Sequence, residues 1–273
     1  MTEHHEQIEH NEALRDHIRY NYAQVARSAG QGGCCSGGCS CSSGAQEAQE
    51  VRKIALDIGY QQEDLTEVPI EANLGLGCGN PLALAALKPG ETVLDLGSGG
   101  GFDCFLARKR VGATGKVIGV DMTPEMLKLA RSNVAATGYT NVEFRLGEIE
   151  HLPVADSSVD VIISNCVVNL SLDKQQVFYE AYRVLCAGGR LSISDIVATA
   201  QLPADIKHDL KMLAGCVAGA EHVDAIRQML ETAGFQDIKL VPKDTSRQIL
   251  NSWAPGRNLE DFVASFTIEA KKI

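Results

Sequence analysis

The sequence lacks long hydrophobic runs and an excess of positive charge. No run in its 273 residues approaches 18 apolar residues, so no segment is predicted to cross a membrane. The opening stretch MTEHHEQIEHNEALRDHIRY lacks the apolar region of a signal peptide. Its 25 Lys and Arg against 35 Asp and Glu give a net charge of -10, whereas nucleic-acid binding needs a clustered basic face. We therefore expect a cytoplasmic protein whose partners include neither membrane nor nucleic acid.

The N-terminal cysteine cluster also lacks a recognisable spacing. The stretch CCSGGCSC has no Cys-x2-Cys pair of the kind that structural zinc sites use. The chain has nine cysteines, an odd number that fits a fully paired disulfide framework poorly, and such frameworks are rare in the cytosol. The surrounding Gly/Ser-rich residues 30–44 predict a loop. The cluster consists of Cys34, Cys35, Cys39 and Cys41.

From Thr92 onward the sequence alternates between predicted strands and helices. The apolar runs TVLDLGS, GKVIGVD, NVEFRLG, VDVIISN and RLSISDIV predict strands. The segments FDCFLARKRV, TPEMLKLARSNVAATG and DKQQVFYEAYRVLCAGG predict helices, the second starting at Thr123 and Pro124 and the third closed by glycines. A helix and two further strands, QDIKLV and DFVASFTIEAKKI, end the chain. This order predicts an α/β fold, a parallel sheet with helices on both faces.

A glycine motif stands at the first strand-to-helix turn. The motif DLGSGGG begins at Asp95, and Gly97 and Gly99 permit a tight turn that a ligand can approach closely. Its Gly-x-Gly-x-Gly spacing and the neighbouring acid disfavour a pyrophosphate and favour a ligand with a cationic amino-acid part. Asp121 ends the next predicted strand, where a carboxylate can accept hydrogen bonds from ribose hydroxyls.

This arrangement resembles the class I S-adenosylmethionine-dependent methyltransferases over about residues 90–273. The resemblance implies a Rossmann-like, mainly parallel sheet of seven strands with an antiparallel last strand. It implies S-adenosylmethionine as cofactor, with the glycine loop at the methionine part, Asp121 at the ribose, GEIEHLP at the adenine and Asn165 facing the sulfonium. The predicted cofactor residues are Asp95, Gly97, Ser98, Gly99, Asp121, Met122, Glu148, Ile149 and Asn165.

Three cysteines outside the N-terminal cluster point to the substrate. Cys78 lies in GLGCGNP, Cys166 in ISNCVVNL at the end of a predicted strand, and Cys216 in LAGCVAGA within the interruption after the fifth strand. Ligands of open α/β sheets bind at the carboxyl ends of strands, so we expect these three residues to converge above one crevice. Three soft thiolates could bind a trivalent thiophilic ion. Cys104 and Cys186, on predicted helices, are interpreted as small buried apolar residues.

With these residues the sequence is similar to the arsenite S-adenosylmethionine methyltransferases over nearly the whole chain. The segments LGCGNP, DLGSGGGFDCF, VIGVDMTPEM, SNCVVNLSLDKQQV, EAYRVL and GCVAGA carry the resemblance. It implies that Cys166 and Cys216 hold trivalent arsenic, supplied as arsenite or its glutathione complex, with Cys78 a further ligand or redox partner. It implies sequential methylation to mono- and dimethylated arsenicals, for detoxification.

The same resemblance implies a disulfide relay. An N-terminal cysteine, Cys34 or Cys35, would pair with Cys78, and thioredoxin or glutathione would reopen the disulfide by thiol exchange. The roles of Cys39 and Cys41 stay open, and we expect a monomer. The chain then divides into N-terminal helices with the Cys-rich loop (1–70), the cofactor-binding core (71–198), an arsenic-binding insertion (199–221), and a helix with two closing strands of the same sheet (222–273).

Two alternatives remain open at the level of sequence. One is a methyltransferase for a small organic acceptor, which a general base near Asn165 would favour, and the sequence shows none. The other is a non-enzymatic, thiol-rich metalloid-binding protein such as a sensor. A basic DNA-reading helix would favour that alternative, but Lys and Arg are scattered along the chain.

Overall fold

Seven strands form one sheet in the computed structural model. The structure describes residues 2–29, 43–207, 209–244, 246–247, 250 and 257–273. The strands are β1 (Thr92–Leu96), β2 (Lys116–Asp121), β3 (Val142–Leu146), β4 (Val159–Asn165), β5 (Leu185–Ala198), β6 (Gln236–Pro242) and β7 (Val263–Lys271). Their order is β3-β2-β1-β4-β5-β7-β6, with the first five parallel and β7 antiparallel to both of its neighbours. The predicted fold class is confirmed.

Helices cover both faces of the sheet. They are α1 (Thr2–Ala29), α2 (Ser43–Asp57), α3 (Gln62–Glu67), α4 (Leu82–Ala85), α5 (Phe102–Val111), α6 (Pro124–Thr137), α7 (Lys174–Val184), α8 (Ala204–Lys207), α9 (Leu210–Ala214) and α10 (Val223–Ala233). Alternate residues of β4 pack on opposite sides: Ile162 contacts the cluster that contains α7 and α10, and Ile163 the cluster that contains α5 and α6. Within the described residues, no helix combines the length and apolarity needed to span a bilayer.

The start and end of α6 follow directly from its sequence. Thr123 is the N-cap residue and Pro124 the first helical residue, a position where proline loses no hydrogen bond. Gly138 ends the helix in a left-handed conformation, and its N–H donates to the carbonyl of Val134. The prediction for this helix is confirmed, and it fixes the position of the loop that follows β2.

The boundary between α7 and β5 differs from the prediction. The helix ends at Val184 and is not closed by the glycines, because Leu185 turns to an extended conformation and pairs with Val159 of β4. Pairing with the sheet replaces the helical hydrogen bonds that the segment LCAGG would otherwise make. Cys186 therefore lies on a strand, not on a helix, and is half-buried with its thiol donating to the Ser157 carbonyl at 3.1 Å.

The topology brings the glycine loop and Cys166 to one place. Strand β1 lies between β2 and β4, so the strand order reverses there, and ligands of such sheets bind outside the carboxyl ends at this point. Gly97 follows β1 and Cys166 follows β4. The two loops touch, because a side chain at Gly97 would collide with Val167.

Candidate active site

A cavity of about 390 Å³ opens at this reversal of the strand order. All the residues predicted for the cofactor line it, together with Cys166 and Cys216. Cys78 is not among the lining residues, is fully buried, and lies next to the cavity through its bond to Cys166. The predicted cofactor region and the predicted substrate thiols therefore share one space.

The glycine loop orients the carboxylate of Asp121. Gly97 has φ 69°, a left-handed conformation that favours glycine, and its N–H donates to the carbonyl of Val120 at 2.8 Å. The N–H of Gly99 donates to Asp121 Oδ2 at 2.9 Å, and that of Thr123 to Oδ1 at 2.8 Å. Burial raises the pKa of Asp121, and hydrogen bonds from these two N–H groups and from the Thr123 side chain lower it. The carboxylate still has acceptor capacity for a ligand hydroxyl.

Two buried acids lie beside the loop. The Tyr60 hydroxyl donates to Asp103 Oδ1 at 2.7 Å, and the buried Cys104 thiol donates to Asp95 Oδ2 at 3.2 Å. Burial raises the pKa of Asp103 to about 6. Burial, and next the charge of Asp103, raises the pKa of Asp95. A cationic ligand group would offset the unfavourable burial of two carboxylates.

These residues fit S-adenosylmethionine. The ligand carries an ammonium and a sulfonium group, which suit the acids Asp95 and Asp103, and a ribose diol, which suits Asp121. The Ser98 hydroxyl is buried in the cavity without a hydrogen-bond partner among the described residues, which a ligand would supply. A side chain at Gly97 would fill the space between the two loops.

Asn165 connects the cofactor region to the thiols. Its Oδ1 accepts from the N–H of Cys78 at 3.0 Å, and its Nδ2 donates to the Gly79 carbonyl at 2.7 Å and the Tyr60 hydroxyl at 3.0 Å. The side chain lines the cavity, but its polar atoms already bond to protein. Its contact with the sulfonium stays a prediction, and its observed role is to hold the Cys78 loop against Tyr60 and Asp103.

The three predicted cysteines do come together. Cys78 and Cys166 form a disulfide with their Cα atoms 6.0 Å apart, and the Cys216 thiol donates to the Cys166 carbonyl at 2.7 Å. The sulfurs of Cys78 and Cys166 and a carboxylate oxygen of Asp195 lie within 4.8 Å of one another. The N-terminal cluster, including the residues predicted to pair with Cys78, lies outside the described residues.

Two of these cysteines have a strained backbone. Cys166 has φ 56° and Cys216 φ 62°, a left-handed region that costs a residue with a side chain roughly 1–2 kcal/mol. Hydrogen bonds hold both in place: Cys166 N–H donates to the Ser194 carbonyl at 2.8 Å, and Asn169 Nδ2 to the Cys216 carbonyl at 2.9 Å. Strain of this kind is common at functional sites, although Ala86 and Ser157 have the same left-handed conformation elsewhere in the chain.

The surroundings of the Cys216 thiol favour its protonated form. Burial, and next the charge of Asp195, raises its pKa, while a hydrogen bond with the Tyr22 hydroxyl lowers it. Tyr22 belongs to α1, which also contacts the cavity wall through an ion pair between Arg19 and Glu148. The N-terminal helix is therefore part of the site.

Sequence reasoning missed several of these residues. Asp103 stands in the first turn of α5, and its place two residues after the glycine motif could have marked it. Tyr22, Tyr60 and Asp195 carry no local signal, since packing of distant segments alone brings them to the cavity or to the thiols.

The fold and this cavity define a class of protein. Residues 87–234 match the family model described as "Methyltransferase domain". The crystal structure of an arsenic (III) S-adenosylmethionine methyltransferase from Chlamydomonas reinhardtii matches with a TM-score of 0.62 and 34% identity, covering 82% of this chain and 73% of that chain. The chain is a class I, S-adenosylmethionine-dependent methyltransferase.

Comparison with curated relatives identifies the family within this class. The arsenite methyltransferase of Halobacterium salinarum is 51% identical, over 96% of this chain and 67% of the relative. That of Aquipseudomonas alcaligenes is 44% identical, over 60% of this chain and 49% of the relative. The chain thus spans about two thirds of the first relative and about half of the second. It belongs to the arsenite methyltransferase family.

Proposed function

We propose that this chain transfers the methyl group of S-adenosylmethionine to trivalent arsenic held by Cys166 and Cys216, with Cys78 as a third thiol. The observation that carries the proposal is the position of these thiols. Cys166 and Cys216 line the same cavity as the cofactor residues, and the Cys216 sulfur lies 2.7 Å from the Cys166 carbonyl. The substrate is arsenite or its glutathione complex, and the insertion 199–221 contributes Cys216.

The work of the protein is to hold two reactants in place. When bound, S-adenosylmethionine supplies a methyl group on a positively charged sulfur. Asp121 would hold its ribose, Asp95 and Asp103 its ammonium group, and Glu148 and Ile149 would lie beside its adenine. Trivalent arsenic carries a lone pair, so no proton has to be removed before the transfer. Positioning of the reactants therefore supplies most of the acceleration.

The disulfide has to open before arsenic can bind, because thiolates are the ligands. Each transfer leaves arsenic formally pentavalent. The Cys78 thiol, on losing its proton, can attack Cys166 Sγ. The Cys78–Cys166 bond then forms, the bond from Cys166 to arsenic breaks, and its electron pair returns to arsenic, which becomes trivalent again. Glutathione or thioredoxin would then reopen this disulfide, with Cys34 or Cys35 as an exchange partner. Repetition of the cycle gives mono- and then dimethylated arsenicals, a detoxification carried out by a cytoplasmic monomer.

The direct test is to incubate the purified chain with arsenite, S-adenosylmethionine and glutathione, and to measure methylated arsenic by chromatography with mass detection. Cys166→Ser and Cys216→Ser should lose at least about 100-fold in rate, because removal of even an outer partner of a bound metal ion typically costs 10–100-fold. Cofactor affinity, measured by calorimetry, should survive in both variants.

Cys186→Ser is the matched control, since Cys186 lies on β5 with its thiol on the Ser157 carbonyl. It should methylate arsenite at the unchanged rate. Normal turnover of arsenite by Cys216→Ser would sink the proposal.

A second variant separates binding from redox chemistry. Cys78→Ser should spare at least one step that starts from an already methylated trivalent arsenical, because Cys166 and Cys216 remain to bind it. The rates on arsenite and on methylarsenite are to be compared. An equal loss on both substrates would argue against a redox role for Cys78.

A further inference from the structure

The two sulfurs of the Cys78–Cys166 disulfide have different surroundings. Cys78 Sγ lies 3.7 Å from the Ser194 hydroxyl, and Lys243 Nζ hydrogen-bonds that hydroxyl. Among the described residues, Cys166 Sγ has no corresponding hydrogen-bond donor. One sulfur therefore faces a polar group backed by a cation, and the other does not.

The chemistry of the groups fixes the direction of these hydrogen bonds. An ammonium group has only donors, so Ser194 Oγ accepts from Lys243. A disulfide sulfur carries no hydrogen, so Cys78 Sγ can only accept. The Ser194 hydroxyl hydrogen therefore points at Cys78 Sγ, and the Lys243 charge polarises it in the direction that would stabilise a thiolate there.

Neighbouring contacts keep Lys243 beside Cys78. Its backbone N–H, just after β6, donates to the Ser265 carbonyl at 2.9 Å, and the Ser265 hydroxyl donates to the Cys78 carbonyl at 2.8 Å. A side chain at Gly79 would occupy the place of the Lys243 ammonium group. Burial lowers the pKa of Lys243 to about 8, so the group is mainly charged at neutral pH.

Two other features bear on which sulfur reacts. Asp195 opposes thiolate formation, but its carboxylate lies within 4.8 Å of both sulfurs and does not distinguish them on that ground. Access does distinguish them, because Cys166 lines the cavity whereas Cys78 has no exposed surface. An incoming thiol reaches Cys166 first.

We propose that Ser194 and Lys243 are positioning residues that make Cys78 the leaving sulfur when the disulfide opens. The inference rests on the thiol relay of the proposed function and deepens it. A glutathione thiolate attacks Cys166 Sγ, the Cys78–Cys166 bond breaks, and its electron pair goes to Cys78 Sγ as a thiolate facing Ser194. A second glutathione thiolate attacks the glutathione sulfur of the mixed disulfide, which releases the Cys166 thiolate and glutathione disulfide. A stabilised thiolate leaves faster, so the pair sets both the rate and the site of attack.

The test uses the full chain in its oxidised form, without arsenic or cofactor. Glutathione is added, the reaction is stopped early with acid and a maleimide, and peptides are mapped by mass spectrometry. The expected first product has an alkylated Cys78 and a Cys166 joined to glutathione or to its neighbour Cys216. Glutathione on Cys78 with an alkylated Cys166 would overturn the inference, as would oxidised protein with no Cys78–Cys166 disulfide.

Variants test the two positioning residues. Lys243→Met and Ser194→Ala should slow opening about ten-fold at fixed pH and glutathione concentration, the size expected for one charge-supported hydrogen bond. Lys243→Met should also raise the pH at which the released Cys78 thiol reacts with the maleimide, because its thiolate is less stabilised, a change that a merely structural role would not produce. Gly79→Ala, which displaces the ammonium group, should behave like Lys243→Met, and Lys243→Arg should keep the wild-type pH for that reaction.

Lys239→Met is the matched control. Lys239 lies on β6, is exposed and pairs with Glu269. The substitution therefore removes one positive charge, as Lys243→Met does, but at a position that is not beside the disulfide. Equal slowing by Lys239→Met and Lys243→Met, or an unchanged rate in Lys243→Met, would overturn the inference. Because the assay contains no arsenic, its result stands apart from the methylation assay. A chain that opens at Cys166 but methylates no arsenic would refute the proposed function alone.

Discussion

The cofactor loop and the thiol site use the same backbone conformation with opposite residue types. The loop is left-handed at Gly97 and Gly99, with φ 69° and 51°, and the thiol site is left-handed at Cys166 and Cys216, with φ 56° and 62°. Glycine adopts this region freely, whereas cysteine does so at a cost of roughly 1–2 kcal/mol. The glycine loop therefore takes this conformation at little cost, and the proposed thiol site takes it with strain.

The two regions also differ in how the chain builds them. The core of the cofactor region, from Asp95 to Asp121, is one strand–helix–strand unit. The thiol site takes Cys78 from the loop before α4, Cys166 from the end of β4 and Cys216 from the segment after α9. A local motif specifies the first region, while the second exists only once the whole sheet has formed.

The largest effect should come from Gly97→Ala, which tests whether the regions are separable. Residue 97 has a left-handed conformation, and the carbon added to it would collide with Val167. Backbone strain and overpacking together cost about 2–5 kcal/mol. We expect cofactor affinity, measured by calorimetry, to fall at least about 30-fold. Arsenite binding by the reduced protein should be retained, and its loss would show that the regions are not independent.

A smaller effect should follow pH and concern the cofactor region alone. Burial raises the pKa of Asp103 to about 6, so this acid becomes neutral as the pH falls through that value. A cationic ligand needs the carboxylate, and S-adenosylmethionine affinity should weaken by up to about ten-fold per pH unit below 6. Calorimetry from pH 5 to 8 measures this. In Asp103→Asn the profile should flatten, and an equally steep profile there would assign the effect to another group.

The smallest effect should come from Gly99→Ala, which isolates conformation from crowding. The nearest atom to its added carbon is Met126 Sδ at 4.0 Å, so only the left-handed backbone opposes the substitution. The free energy of unfolding, measured with denaturant, should fall by about 1–2 kcal/mol. The same unfolding measurement is to be made on Gly97→Ala. An equal fall in the free energy of unfolding in both variants would mean that crowding, not backbone conformation, governs this loop.

Much of the fold was predictable because its signals are local. The alternation of apolar runs with amphipathic segments gave the α/β class, and Thr123 with Pro124 marked the start of α6 correctly. The predicted end of α7 was wrong because the pairing of Leu185 with Val159 determines where the helix ends. That pairing depends on a strand 26 residues earlier. Tertiary pairing outweighed the two glycines on which the prediction relied.

The candidate site also has features that the sequence predicts and features that only the folded structure reveals. Convergence of the three cysteines followed from a topological rule, that ligands gather where parallel strands end. The bond between Cys78 and Cys166 did not, since it depends on how a loop 88 residues away folds back over β4. Lys243 could not be found at all, because a single lysine after an edge strand resembles any solvated charge until the fold places it over Ser194.

Asn165 limits how freely such an enzyme could be redesigned. Its amide offers one acceptor to the Cys78 loop and donors to Tyr60 and Gly79, a pairing that neither a carboxylate nor an apolar side chain can reproduce. The three cysteines of the thiol site could be exchanged for other residues that accept another thiophilic element. The Asn165 amide connects the cysteine loop to the cofactor region, so a redesigned enzyme has to keep it.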